Sequence, residues 1–295
     1  MDKKDILEFF LERGILLKPE ELDNINEENY MQFLENKLKE NKENIIIETV
    51  KKGKITNEEF IKNLNKNFEF LNDLIVKKVD VVSINKAKKI TSNLTISGRV
   101  KEKTPKGFIL EDLTDEVEII YEEKENDYIK IGDIFGVNGY FKGNIFFAKK
   151  IIWPDIPLEP KANHINMKIT LTSKIKEDMS GFVICPHAKT SDRIIGGFRR
   201  IGKIKIVKDG SEFIILAFSP KNNKINEMDA VKILKRRMLP ELLIDNLIKE
   251  VPDIFWLYNN GKNWFKNYKG VMIVSTNENS FVEINNEEIN FGEIN

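Results

Sequence analysis

Ser97-Gly98-Arg99-Val100, Phe108-Ile109-Leu110-Glu111-Asp112 and Ile131-Gly132-Asp133-Ile134 are the phrases on which the fold turns. They lie in a stretch, Leu94 to Trp153, where apolar residues recur at every second position. Leu94, Ile96 and Gly98 lead into Val100, and Val117, Ile119 and Tyr121 alternate with Glu116, Glu118 and Ile120. A period of two puts alternate side chains on opposite faces of a strand. Pro105-Lys106-Gly107 and Gly132-Asp133 supply turns, and Lys142-Gly143-Asn144 closes a hairpin between Ile134–Phe141 and Ile145–Trp153. Five short strands with no helix between them predict a small barrel.

Upstream, residues 1–80 read as helical. Ile6, Phe9, Phe10, Ile15 and Leu16 fall near helical spacing, and Gly14 offers a stop. Pro19-Glu20-Glu21 has the chemistry of a first helical turn, and a third helix is expected from Glu28 to Glu40. Thr56-Asn57-Glu58-Glu59 is a capping box that opens a fourth. Downstream, Trp153-Pro154-Asp155-Ile156-Pro157-Leu158-Glu159-Pro160 reads as a connector at a domain boundary. Beyond it, strands are expected at Ile165–Thr172, Gly181–Cys185, Lys203–Val207, Phe213–Phe218, Val271–Ser275 and Phe281–Ile284, and two helices over Met228–Lys249, broken at Pro240.

The 295 residues carry 47 Lys or Arg and 47 Asp or Glu, so net charge makes no case for nucleic acid. Distribution does. Residues 161–210 hold eleven Lys or Arg (Lys161, Lys168, Lys174, Lys176, Lys189, Arg193, Arg199, Arg200, Lys203, Lys205, Lys208) against four acids (Glu177, Asp178, Asp192, Asp209). Lys232, Lys235 and Arg236 share a helix face, read as a solvated stripe in preference to a partner surface. Cys185 is the single cysteine, which excludes an intrachain disulfide and a Cys-based zinc site. The histidines are His164 and His187. A Cys185–His187 nucleophilic pair is one reading; a buried strand-end thiol beside a loop histidine is preferred. No apolar run approaches the ~20 residues of a membrane span, and Met1-Asp2-Lys3-Lys4-Asp5 lacks a signal-peptide core, so a cytoplasmic protein is expected.

The barrel phrases resemble an OB-fold. Other phrases resemble the small subunit of the archaeal D-family DNA polymerase. Leu234-Lys235-Arg236-Arg237-Met238-Leu239-Pro240 is similar to that family's LKRRHLAP, and Glu250-Val251-Pro252-Asp253-Ile254-Phe255 to its EVPDIFH. Lys269-Gly270-Val271 and Val274-Ser275 are similar to its return strand, and Phe9-Phe10-Leu11-Glu12-Arg13-Gly14-Ile15-Leu16-Leu17 to its opening. The resemblance implies an α+β multidomain chain: an N-terminal helical domain at 1–80, an OB-fold β-barrel at 81–158, and a shortened, degenerate calcineurin-like phosphodiesterase α/β domain at 159–295.

The family's chemistry uses two metals held by Asp, Asn and His, which activate water and clamp a phosphate. Its Asp-x-His phrase falls on Ser173-Lys174-Ile175-Lys176, which puts lysines at both ligand positions. An ammonium has no lone pair to give and repels a cation. Its Asn-His-Asp core falls on Ala188, Lys189 and Thr190, between Pro186 and Arg193. Phe218 stands where a histidine is expected, and Asn259 and Gly261 replace two more. The segment carrying the bridging aspartate has no counterpart between Lys176 and Gly181. With two histidines in the chain, the imidazoles such a centre needs are not available. The resemblance thus implies a lost metal site, no cofactor and no catalysis.

The expected role is a non-catalytic accessory or scaffold subunit in DNA replication or repair. Its expected partner is a polymerase large subunit or another replication protein, with single-stranded DNA as a further ligand and no membrane. Candidate nucleic-acid contacts are Lys174, Lys176, Lys189, Arg193, Arg199 and Arg200, where lysines in the place of metals attract a phosphate, and Lys142, Phe146 and Phe147 on the barrel. The consecutive pairs Tyr140-Phe141 and Phe146-Phe147 must each send one ring outward. The competing readings are a free-standing single-strand-binding protein and, least favoured by the ligand pattern, an active 3′–5′ exonuclease subunit.

Overall fold

In this computed structural model the described residues are 6, 24–26, 29–33, 44–49, 56–122, 129–158, 168–176, 179, 181–191, 193–208, 211–221, 224–240, 246–285 and 288–294. Helix α1, Asn57–Val76, opens at the capping box: the Thr56 hydroxyl accepts from the Glu59 amide at 3.2 Å, and the Glu59 carboxylate accepts from the Thr56 amide at 3.0 Å. Two amides that the helix cannot satisfy internally are thereby paired. Its buried stripe, Phe68, Leu71 and Ile75, packs on Ile134 of the barrel. Of the three helices expected earlier in the chain, residue 6 and residues 30–33 are described as helix and residues 24–26 and 29 as turn or irregular backbone; the remainder lies outside the described residues.

The barrel consists of β2 (Leu94–Thr104), β3 (Gly107–Glu111), β4 (Glu116–Ile120), β5 (Ile134–Lys142) and β6 (Ile145–Ile152), closed in the order β2-β3-β4-β6-β5. The β4–β6 pair is parallel and the others are antiparallel. Val100, Phe108, Leu110, Ile119, Phe135 and Phe146 fill its interior. Gly98 is required because a Cβ there would stand 2.6 Å from the Glu111 carbonyl oxygen. The short helix α2, Ile84–Ala87, adds Ile84 and Ala87 to the same core. Asp112 anchors it by accepting from the Ile84 amide at 2.8 Å.

Two facing sheets form the C-terminal unit. One contains β7 (Lys168–Thr172), β8 (Phe182–Ile184), β9 (Ile194–Ile195), β15 (Ser280–Asn285) and β16 (Glu288–Glu293), in the order β16-β15-β7-β8-β9. The other contains β1 (Asn44–Thr49), β10 (Ile201–Lys208), β11 (Ser211–Phe218), β12 (Ile254–Leu257), β13 (Trp264–Tyr268) and β14 (Val271–Ser275), in the order β1-β10-β11-β12-β14-β13. Ile169, Leu171, Ile184, Ile204, Ile215, Trp256 and Val274 meet between them. Helix α3, Glu227–Arg236, covers the outer face of the larger sheet through Ala230, Ile233 and Leu234 against Phe218, Phe255 and Ile273. The chain is thus mixed α+β, dominated by strands, with one closed barrel.

Three expectations change. Residues 44–49 are a strand within a segment read as helical, as the β-branched run Ile45-Ile46-Ile47 favours; β1 pairs antiparallel with β10 of the C-terminal sheet. The second helix after Pro240 is not formed at 246–249, where Leu247 bridges Met238 and the Leu239 amide donates to the Asn246 carbonyl at 2.8 Å; residues 241–245 lie outside the described residues. The basic residues of α3 form no solvated stripe. Arg236 pairs with Asp133 of the barrel at 3.0 Å and lies over the Trp153 ring, while Arg237 is buried and donates to the Lys249 carbonyl at 2.6 Å.

The proline-rich connector is pinned from Trp153 to Ile156. The Asp155 amide donates to the Lys235 carbonyl at 2.7 Å, and its carboxylate accepts from Lys269 at 2.6 Å and from the Tyr268 hydroxyl at 3.0 Å. Ile156 is fully buried, and Lys78 donates to the carbonyls of Trp153 and Pro154. Burial, then the Asp155 charge, raises the Tyr268 phenol, which keeps it a donor.

Candidate functional site

The carboxyl ends of β7, β8, β11 and β12 lead into loops that meet at one edge of the two sheets. In open α/β sheets this edge is where ligands bind. Thr172 ends β7 with its hydroxyl donating to the Lys174 carbonyl at 2.6 Å and accepting from the Lys174 amide at 3.2 Å. The next residue, Ser173, donates to the Asn259 side-chain oxygen at 2.6 Å and so ties the β7 loop to the β12 loop. Asn259 sits at φ 55°, a conformation asparagine tolerates better than most residues.

Beneath this contact the loops are locked by buried polar groups. The Asn260 carboxamide accepts from the Ile225 amide at 2.7 Å and donates to the Ile225 carbonyl at 2.6 Å and to the Ser275 hydroxyl at 3.1 Å. Trp256 donates its indole N–H to Thr276 at 2.9 Å. Tyr258 donates to the Arg199 carbonyl at 2.5 Å, and burial raises its phenol, so it stays protonated. The Pro186 carbonyl accepts from the Gly197 and Phe198 amides, both at 3.0 Å, which draws the β8 loop alongside.

Lys174, Lys176 and Lys189 are exposed on these loops, as are Arg193 and Arg199; Arg200 is half-buried and donates to the Ser219 carbonyl at 3.2 Å. Lys174 donates to Asn279 at 2.6 Å, a neutral partner. Of the other cations counted in residues 161–210, Lys168 pairs with Glu283, Lys203 with Glu250 and Lys205 with Glu212. Lys161 and the acids Glu177, Asp178, Asp192 and Asp209 lie outside the described residues, as does His164. Among the described residues the lysines of these three pairs lie on strands, whereas the exposed cations Lys174, Lys189, Arg193 and Arg199 lie in the loops at the strand ends.

Ala188 and Gly261 belong to the same loops. Phe218 ends β11 at the same edge, where its carbonyl accepts from the Tyr258 amide at 3.1 Å, but its side chain turns into the core beneath α3. Cys185 is buried and its thiol is pushed up by that burial, while His187 is exposed; a neutral, covered thiol is a poor nucleophile. Among the described residues no group of three or more His, Cys, Asp or Glu side chains is placed to hold a metal ion.

On the barrel the hairpin β5–β6 sorts its aromatics. Phe141 and Phe146 turn inward and meet edge to face at 5.0 Å, so Phe146, a candidate contact from sequence, has no surface to offer. Tyr140 and Phe147 turn outward and stack at 5.7 Å, with Lys149 5.3 Å above the Tyr140 ring. Lys142 is exposed at the hairpin tip. Tyr140 and Phe147 are thus the outward rings of the two consecutive pairs, and counting alternate positions from buried Phe135 places Tyr140 outside.

No family model matches the chain. A 108-residue stretch is 30% identical to the DNA polymerase II small subunit of Archaeoglobus fulgidus. That stretch covers 34% of this chain and 22% of that protein's length. The match supports a relation to that family. No helix of the described residues is long and apolar enough to cross a membrane.

Proposed function

We propose that this chain is a non-catalytic accessory subunit, a shortened relative of the D-family small subunit. It docks on a polymerase large subunit or another replication protein and contacts the DNA backbone through the loops at the strand ends. One observation carries the reading. The loops joined by the Ser173–Asn259 contact carry Lys174, Lys176 and Asn259, ammonium and amide groups that the family resemblance aligns with the carboxylates and imidazoles of a two-metal centre. A cation fixed at that edge still attracts a phosphate but cannot generate a metal-bound hydroxide.

Two measurements test the reading separately. Co-expression with a D-family large subunit gives one complex on gel filtration; separate elution overturns the partner. Purified chain releases no nucleotide from a 3′ end in manganese; reproducible release overturns the non-catalytic assignment.

A further inference from the structure

We infer that the outer face of the β5–β6 hairpin is a stacking platform for single-stranded nucleic acid. The inference rests on the barrel surface alone and goes beyond the accessory role, so the two fail separately. From Ile134 to Ile152 the chain contains no Asp or Glu, although a third of the whole sequence is charged and the signs balance (32% charged). Its lysines, Lys142, Lys149 and Lys150, are exposed. Among the described residues no acid pairs with them, and Lys149 donates only to neutral Asn93, at 3.0 Å.

Between these cations lies flat aromatic surface. Tyr140 faces Phe147 across the hairpin, their planes 16° from parallel. Tyr140 is 36% exposed, high for an aromatic side chain on a strand. Ile120 of β4 stands opposite Phe147 and extends the apolar strip, and Glu118, opposite Ile145, bounds it. The two strands approach closely beneath it: Gly139 has no room for a Cβ, which would stand 2.1 Å from the Phe147 carbonyl oxygen. An exposed tyrosine ring stacked on a half-buried phenylalanine, flanked by lysines with no described acid partner, matches a ligand that alternates flat bases with phosphates. A duplex hides its base faces and offers the rings nothing. The neighbouring β3–β4 surface is unsuited, because Glu111 and Glu116 are spent on Arg99 and Lys101.

The test uses the full chain and a fluorescein-labelled oligothymidylate of about twenty nucleotides, read by anisotropy. The wild type binds it more tightly than a duplex of equal length. The double variant Tyr140→Leu/Phe147→Leu, which keeps apolar bulk and loses the rings, weakens binding about tenfold or more. The double variant Lys142→Gln/Lys149→Gln, on exposed residues that leave the core intact, reduces the salt slope by about 1.4, from ~0.7 per contact to a single strand. Equal affinity for duplex and single strand, or leucine variants that bind like wild type, overturns the platform. So does a wild type that ignores oligothymidylate while the leucine variants lose a protein partner; the face is then a protein interface.

Discussion

Removing Arg236 tests whether the barrel and the C-terminal unit are bolted together by the ion pair between them. Arg236 and Asp133 are 12% and 9% exposed and 3.0 Å apart, and the guanidinium lies 5.4 Å from the centre of the Trp153 ring. Arg236→Met keeps most of the apolar stem and leaves the Asp133 carboxylate buried, with the Lys130 amide at 2.7 Å as its remaining near donor. Breaking a buried pair from one side costs about 3–5 kcal/mol. The surviving amide bond puts this case near the lower end, and the lost contact with the indole adds about 0.5–1 kcal/mol. The expected loss near neutral pH is therefore about 3–4 kcal/mol. Its pH dependence has a definite sign. Burial already raises the folded pKa of Asp133 against the opposing charge of Arg236. A carboxyl that binds its proton more tightly when folded loses stability as pH rises above the ordinary carboxylate range. Without the guanidinium the folded pKa climbs further, so the variant is penalised more near pH 7 than near pH 5. Urea titrations followed by tryptophan emission at the two pH values read both quantities. Adding Asp133→Asn should recover most of the loss, because the stranded charge is gone. A loss under about 1 kcal/mol, an equal loss at both pH values, or no recovery in the double variant would refute the reasoning.

Asn260→Ala strips three hydrogen bonds from the base of the loop cluster and leaves the buried Ile225 amide unpaired; a loss of about 2–4 kcal/mol is expected in the same titration. Gly139→Ala forces a methyl against the Phe147 carbonyl oxygen and should cost about 1–3 kcal/mol or more, measured as a drop in melting temperature. Thr56→Ala removes one half of the capping box and should cost about 1 kcal/mol, seen as faster amide exchange in the first turn of α1. Cys185 should resist a disulfide reagent in the native protein and react once urea unfolds it; rapid native reaction contradicts its burial and raised pKa.

Local signals were legible and distant pairings were not. The capping box at Thr56 and the period-two stretch from Leu94 are complete within a few residues, so α1 and the barrel strands could be read directly. Strand β1 carried a β-branched run, yet its partner lies far along the chain, with Asn44 opposite Val207, and no local window records that pairing. The edge strands β13 and β16 alternate polar and apolar residues weakly, because an edge buries little. The basic run at Lys235-Arg236-Arg237 misled for a related reason. Charge spacing on a helix predicts solvent exposure only when no buried acid or free carbonyl waits opposite, and here Asp133 and the Lys249 carbonyl do. At the candidate site the chain order of the loops was visible, but the Ser173–Asn259 contact that joins two of them depends on the packing of two sheets. The outward turn of Tyr140 and Phe147 followed from parity once one buried residue was known.

The firmness of the loop cluster bears on the proposed role. A loop that serves only to connect strands needs no internal lock, and exposed connections usually vary in shape. Here Asn260, Tyr258 and Trp256 each commit a buried polar group to a fixed partner directly below the residues that face outward. Every such group would cost stability if left unpaired. Positioning of this kind is what a binding face requires, since ligand affinity is lost when contact residues must first be ordered. The connector repeats the pattern, with Asp155 held by Tyr268, Lys269 and the Lys235 carbonyl, so it is fastened where it meets the C-terminal sheet. If the chain is a scaffold, its work is to hold surfaces at fixed separations. Loosening Asp155 by Asp155→Ala should then weaken the assembly with a large subunit while leaving the oligothymidylate affinity of the barrel unchanged. Equal loss of both would mean that the substitution had unfolded the chain, and loss of neither that the stiffness of the connector is irrelevant to assembly.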